Sequence, residues 1–171
     1  MADIQKITPP HFLRTHPRQK NNRHIKLVRR YCALYQKRHR RLAKWLWIFN
    51  RILFACDIFP SVQIGERFHL MHFGLGVVIH PYTVIGNDVW IYQNVTIGVK
   101  HHADYFKLII GDKVFIGAGA KILGMGEMTI GENSVIGANA VVLNSVPANA
   151  VVAGNPARIV KLNGNKVNIK L

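Results

Sequence analysis

His72 and Asp57 are the pair in this chain whose types and separation suit proton transfer. An imidazole titrates near neutral pH and can act as a general base. A carboxylate that accepts from one ring nitrogen fixes the tautomer, keeps the other nitrogen basic and stabilises the imidazolium. Fifteen residues separate the two, close to the length of one coil of the repeat in which they sit. A lone histidine is more often a satisfied structural group, and His69, His80, His101 and His102 take that reading as catalysts. His72 departs from it because it lies where the repeat is interrupted. Cys32 and Cys56 have no base nearby in sequence and no metal or redox spacing, which argues against a covalent thiol mechanism. A zinc site needs three correctly spaced ligands. His69, His72 and His80 are not so spaced, and no metal is expected.

The elements that must hold these groups are written in a six-residue period. Ile58, Ile64 and Leu70 begin it, then Ile79, Ile85, Ile91 and Ile97, then Ile110, Ile116 and Ile122, then Ile130, Ile136 and Val142. Gly directly follows Ile64, Ile85, Ile97, Ile116, Ile130 and Ile136. This period marks a parallel β-helix of hexapeptide repeats, with three short strands per triangular coil and the aliphatic residue pointing inward. A sandwich would need period-two alternation and variable turns. Glycine next to the aliphatic residue is expected to ease the corner backbone.

The period breaks three times. Leu70 to Ile79 is longer than one repeat and contains His72, Gly74 and Gly76. The 98–109 stretch contains Lys100, His101, His102, Asp104, Tyr105 and Lys107, a polar loop of the kind that often carries function. Gly124-Met125-Gly126 has no ionisable group and reads as structural.

Charge divides the chain. The formal net charge is +15, and residues 1–56 hold 14 of the 23 Lys and Arg with Asp3 as their one acid. The expected organisation is a basic, mostly helical N-terminal arm over 1–56, a prism over 57–162, and a short basic tail over 163–171. Residues 1–24 read as irregular. From Ile25 to about Ala55 the apolar spacing turns helical. The arm reads as a cap on the prism, and its Lys, Arg, Trp and Phe also suit an acidic substrate or an anionic membrane face. It carries no nucleic-acid motif, and no nucleic-acid partner is expected. The longest apolar stretch is too short and interrupted to span a bilayer, and nothing at the N-terminus has signal-peptide form.

Six segments in order resemble the serine acetyltransferase branch of the hexapeptide-repeat acyltransferases: Cys56-Asp57-Ile58-Phe59-Pro60, Ile64-Gly65, Met71-His72, Gln93 to Gly98, Ile116 to Gly124, and Ala153-Gly154-Asn155-Pro156-Ala157-Arg158. The resemblance covers about residues 54–162. It implies a left-handed parallel β-helix, a homotrimer with active sites between prisms, acetyl-CoA as co-substrate, and direct transfer with no covalent enzyme intermediate. His72 and Asp57 fall on that branch's catalytic dyad. The branch has Asp immediately before the catalytic His to bind the serine amino group, and Met71 stands there instead. Its second active-site His has no match in register.

The segment His72-Phe73-Gly74 looks more like the acetyltransferases of capsule and exopolysaccharide synthesis. The expected acceptor is therefore a hydroxyl of an acidic bacterial surface polysaccharide or lipid-linked glycan, met in the cytoplasm or at the inner membrane face. Gly98 is the candidate oxyanion donor. Gly117, Ala118, Gly137 and Ala138 are candidates for the groove along which pantetheine lies, Lys121 and Arg158 for the CoA phosphates, and Pro156 for turning the C-terminal segment back. Met71, Gln93, Asn94, His101, His102 and Tyr105 are candidate acceptor contacts. The alternatives are O-acetylation of serine or another small molecule, a zinc carbonic anhydrase of the same prism form, and a non-enzymatic scaffold with a membrane- or polyanion-binding arm.

Overall fold

A computed structural model describes residues 23–100 and 105–171. Two helices, α1 (Arg23–Gln36) and α2 (Arg40–Phe54), form a hairpin over the first coil of a parallel β-helix of about four turns. Arg38 turns between them with a left-handed φ of 64°.

The prism has three faces. Face A stacks β1 (Asp57–Ile58), β4 (Val78–Ile79), β7 (Thr96–Val99), β10 (Lys121–Gly124) and β13 (Val141–Val142). Face B stacks β2 (Gln63–Ile64), β5 (Thr83–Ile85), β8 (Phe106–Ile110) and β11 (Gly126–Ile130). Face C stacks β3 (His69–Leu70), β6 (Trp90–Ile91), β9 (Phe115–Ile116), β12 (Val135–Ile136) and β14 (Ala150–Gly154), and ends in β15 (Ala157–Leu162) and β16 (Asn165–Lys170).

Register follows the aliphatic period. On face A, Ile58, Ile79, Ile97, Ile122 and Val142 pair in sequence and are all buried. Each such side chain contributes about 1.5–3 kcal/mol of burial. Asp57, Val78, Thr96, Lys121 and Val141 form the alternate, outward column. The interruptions at 70–79, 98–109 and 124–126 are absorbed at edges of the prism, so strand pairing resumes in register beyond each.

Two local expectations are corrected. The short basic tail over 163–171 is largely strand. β16 pairs antiparallel with β15, which itself turns back antiparallel on β14 after Pro156 and covers the last coil. The corner glycines also serve a different purpose from backbone freedom. A Cβ on Gly117 would lie 2.7 Å from the backbone nitrogen of Ala138 in the next coil, so the requirement is close approach. Left-handed backbone at the corner between faces C and A falls on another column, Gly76, Asn94, Gly119 and Asn139, the residue types that tolerate it.

The helical hairpin is tied to β1 at several points. Tyr31 donates its hydroxyl to the Ile58 carbonyl at 2.9 Å, and Asn50 Nδ2 donates to the Cys56 carbonyl at 2.8 Å. Buried His24 meets Asn50 Oδ1 at 2.7 Å. Val28, Tyr31 and Cys32 join the prism core.

Candidate active edge of the prism

The corner between faces C and A collects most of the sequence-selected residues. Coil by coil it carries Met71 to Val77, then Tyr92-Gln93-Asn94, then Gly117-Ala118-Gly119, then Gly137-Ala138-Asn139, then Gly154 to Pro156. Backbone bonds lock the stack. Gly76 N donates to Ala55 O at 2.8 Å, Asn94 N to Leu75 O at 2.8 Å, Gly119 N to Gln93 O at 2.9 Å, and Asn139 N to Ala118 O at 2.9 Å.

His72 lies at the top of this edge in a short 3₁₀ turn, Met71–Gly74. His72 and the following Phe73 both have left-handed backbone, with φ of 50° and 54°. That conformation is uncommon for bulky residues and costs roughly 1–3 kcal/mol each. The turn is held because Gly74 is buried against Leu70 and Cys56, where a Cβ would come within 2.7 Å and 2.9 Å of their side chains. Phe73 stacks on Phe54 of α2 with ring centroids 6.0 Å apart. His72 itself is exposed, and its ring meets Tyr92 edge-on at 6.4 Å.

Asp57 sits on the neighbouring coil at the same edge, since its amide donates to the Val77 carbonyl at 2.8 Å. Its carboxylate faces the arm. Trp47 Nε1 donates to Oδ1 at 2.8 Å, and Arg51 lies 3.5 Å from Oδ2. No hydrogen bond or ion pair joins Asp57 to His72 in this structure. Met71 is half-buried and provides no charge beside His72.

Lower on the edge, Gln93 Oε1 is buried with no hydrogen-bond partner among the described residues. Ala118 and Ala138 present small side chains outward below it. Lys121 donates its ammonium to the Asn94 carbonyl at 2.9 Å and to Thr96 Oγ1 at 3.0 Å, which braces the prism beside this edge. Arg158 is exposed on β15, with Nε donating to Asn168 Oδ1 at 2.6 Å. Pro156 follows Gly154 at the foot of the edge. Gly98 lies inside β7, paired with Leu123, rather than at a corner.

The remaining candidates fall elsewhere. Tyr105 is on the edge between faces A and B, where its carbonyl accepts from Gly126 N at 3.0 Å. His101 and His102 lie outside the described residues. His69 stacks on Trp90 at 4.0 Å, and His80 meets Phe106 edge-on at 4.9 Å. Burial lowers the His80 pKa and raises both thiols to about 12, which leaves neither cysteine a ready nucleophile near neutral pH. Among the described residues no group of three His, Cys, Asp or Glu could hold a metal ion.

Trp47, Arg51, Asn50 and Tyr92 are the site-forming residues that sequence reasoning missed. Tyr92 was legible, since it follows Ile91, the coil partner of Leu70. The three on α2 carried no periodic signal that linked them to Cys56 and Asp57.

The chain is similar to serine acetyltransferases. That of Staphylococcus xylosus is 44% identical over 140 residues, covering 78% of this chain and 61% of the relative. That of Mycobacterium tuberculosis is 44% identical over 138 residues, covering 70% and 57%. The solved serine acetyltransferase of Brucella abortus in complex with coenzyme A superposes with a TM-score of 0.75 at 35% identity, over 84% of this chain and 56% of that one. The chain thus spans about three-fifths of the length of the curated relatives it matches. No family model matches it. These likenesses fit the left-handed β-helix.

They also correct the acceptor. The expectation of a surface-polysaccharide hydroxyl rested on Met71 in place of the acid that would bind the serine ammonium, on His72-Phe73-Gly74 and on the basic arm. Relatives at 40–44% identity are instead serine acetyltransferases, which favours the small-molecule alternative. The local reason is visible. Phe73 is placed by packing on Phe54, so this segment reports how the corner is tied to the arm and says little about the acceptor. No helix among the described residues is long and apolar enough to cross a membrane.

Proposed function

We propose that this protein transfers the acetyl group of acetyl-CoA to the hydroxyl of serine. The observation that carries the reading is the single edge that joins an exposed His72, in a strained turn, to a run of small Gly-Ala corners on successive coils. His72 takes the proton of the serine hydroxyl as its oxygen attacks the thioester carbon. The new C–O bond forms, the C–S bond breaks, and the imidazolium returns its proton to the departing thiolate. General-base help of this kind is worth roughly 10²–10⁴ in rate. Asp57 supplies the negative charge that favours the imidazolium. Trp47 and Arg51 hold that carboxylate at the edge, and its pairing with His72 belongs to the substrate-loaded site. Catalytic hydrogen bonds commonly tighten only in the loaded site. Ala118 and Ala138 leave room for pantetheine, and Gln93 Oε1 is an acceptor awaiting a donor. Arg158 remains the candidate for a CoA phosphate.

The working unit we propose is a homotrimer. Exposed Phe73, Leu75 and Val78 line the edge between C and A, while exposed Tyr82, Val99, Tyr105 and Met125 line the edge between A and B. Two different apolar strips on one prism suit a head-to-tail contact that closes into a ring.

The test is thiol release from acetyl-CoA with serine, beside His72→Ala and Met71→Asp. Serine-dependent turnover that His72→Ala lowers by about 10²–10⁴ supports the reading. Met71→Asp is expected to lower KM for serine by supplying an anion to its ammonium. Absence of serine-dependent turnover in the trimeric wild type would overturn the proposal.

A further inference from the structure

The arm holds a feature that the transfer reaction does not use. On α2, Leu42, Trp45, Phe49 and Ile52 recur three or four residues apart and so share one helix face. That face points away from the prism. Trp45 is 72% and Ile52 79% exposed. The opposite face does the packing, through buried Ala43 and Asn50 and half-buried Leu46 and Trp47. Large apolar side chains in one exposed stripe mark a docking surface. Arg41 borders the stripe, with Lys37 and Arg38 in the turn before, while Arg40 lies over the Tyr35 ring and Arg51 reaches toward Asp57 on the prism side. Residues 23–56 contain ten Lys and Arg and no Asp or Glu.

We infer that this face of α2 binds an anionic lipid surface, with Trp45, Phe49 and Ile52 entering the interface and Lys37, Arg38 and Arg41 meeting headgroup phosphates. Charge decides between occupants. A two-fold contact of α2 with α2 of a second copy would bring together two arms that each carry ten Lys and Arg and no acid over residues 23–56, and be repelled. A bilayer rich in anionic headgroups satisfies the apolar stripe and the basic arm around it together, as interfacial amphipathic helices do. The helix lies on such a surface and does not enter it further, since it has 15 residues and carries Arg40, Arg41, Lys44 and Arg51.

The experiment uses the full chain in co-sedimentation with phosphatidylglycerol–phosphatidylcholine vesicles and with phosphatidylcholine vesicles alone, beside the double variant Trp45→Gln/Ile52→Gln. Gln keeps helix propensity and charge, so the variant removes only the apolar contact. The expected result is binding to the anionic vesicles, weakening with salt, and weaker by at least about tenfold in the variant, with its serine acetylation and sedimentation mass unchanged. Three results would overturn the inference. The wild type could fail to bind anionic vesicles. The variant could bind as well as the wild type, leaving charge alone as the cause. The variant could lose oligomeric mass, which would assign the stripe to a second copy.

Discussion

Trp47 Nε1 donates to Asp57 Oδ1 at 2.8 Å, a bond from the second arm helix to the first residue of the first strand. It makes the arm part of the site. Trp47 is also fixed by Phe59, with ring centroids 5.1 Å apart, so the donor arrives pre-positioned. Trp47→Phe should keep that packing and remove the hydrogen bond. One charge-assisted bond of about 1.5 kcal/mol corresponds to about a tenfold loss in kcat/KM. Unchanged kinetics in a folded variant would remove Trp47 from the positioning of Asp57.

The turn that presents His72 depends on Gly74. At φ 65° a Cβ there would press on Leu70 and Cys56, whereas Gly126, also at φ 65°, has open space around it. Gly74→Ala is expected to cost about 2–4 kcal/mol, the left-handed penalty plus overpacking, and to lower activity because the corner must shift. Gly126→Ala should cost about 1–2 kcal/mol and leave activity intact. Denaturant unfolding of both variants beside their turnover distinguishes the two cases.

Ala138 is exposed on the active edge. Ala138→Leu should leave thermal stability unchanged, as surface substitutions generally do, while blocking the strip along which pantetheine is proposed to lie. The expected outcome is KM for acetyl-CoA raised by about tenfold or more, with the loss confined to uniform binding. An unaltered KM would place the coenzyme elsewhere.

His24 joins the two arm helices through Asn50, and burial lowers its pKa below the usual 6.5 despite the opposing Asn50 bond. The unfolded chain therefore takes up a proton that the folded chain refuses. Its contribution to stability is present above about pH 6.5 and is lost as pH falls from there through the lowered folded value. Between pH 7.5 and pH 5 the melting temperature of the wild type should fall more than that of His24→Gln. Parallel falls would show that His24 does not govern the acid limb.

The six-residue aliphatic period, by itself, determined the prism, its three interruptions and the coil-to-coil stacking. An inward aliphatic residue at every third corner-to-corner step has one low-energy partner, the equivalent residue one coil away. Because that register is local and repetitive, the Gly-Ala corners at Ala118 and Ala138 are legible in the sequence, and His72 stands out where the repeat breaks. Which residues hold Asp57 was decided by tertiary structure alone. α2 reaches β1 through a chain reversal at Arg38, and nothing periodic links Trp47 or Arg51 to a strand residue. The same holds for Lys121, whose ammonium the fold turns onto Asn94 and Thr96. A long flexible cation goes to whichever acceptor the neighbouring coil offers, and only the stacked coils show which one that is.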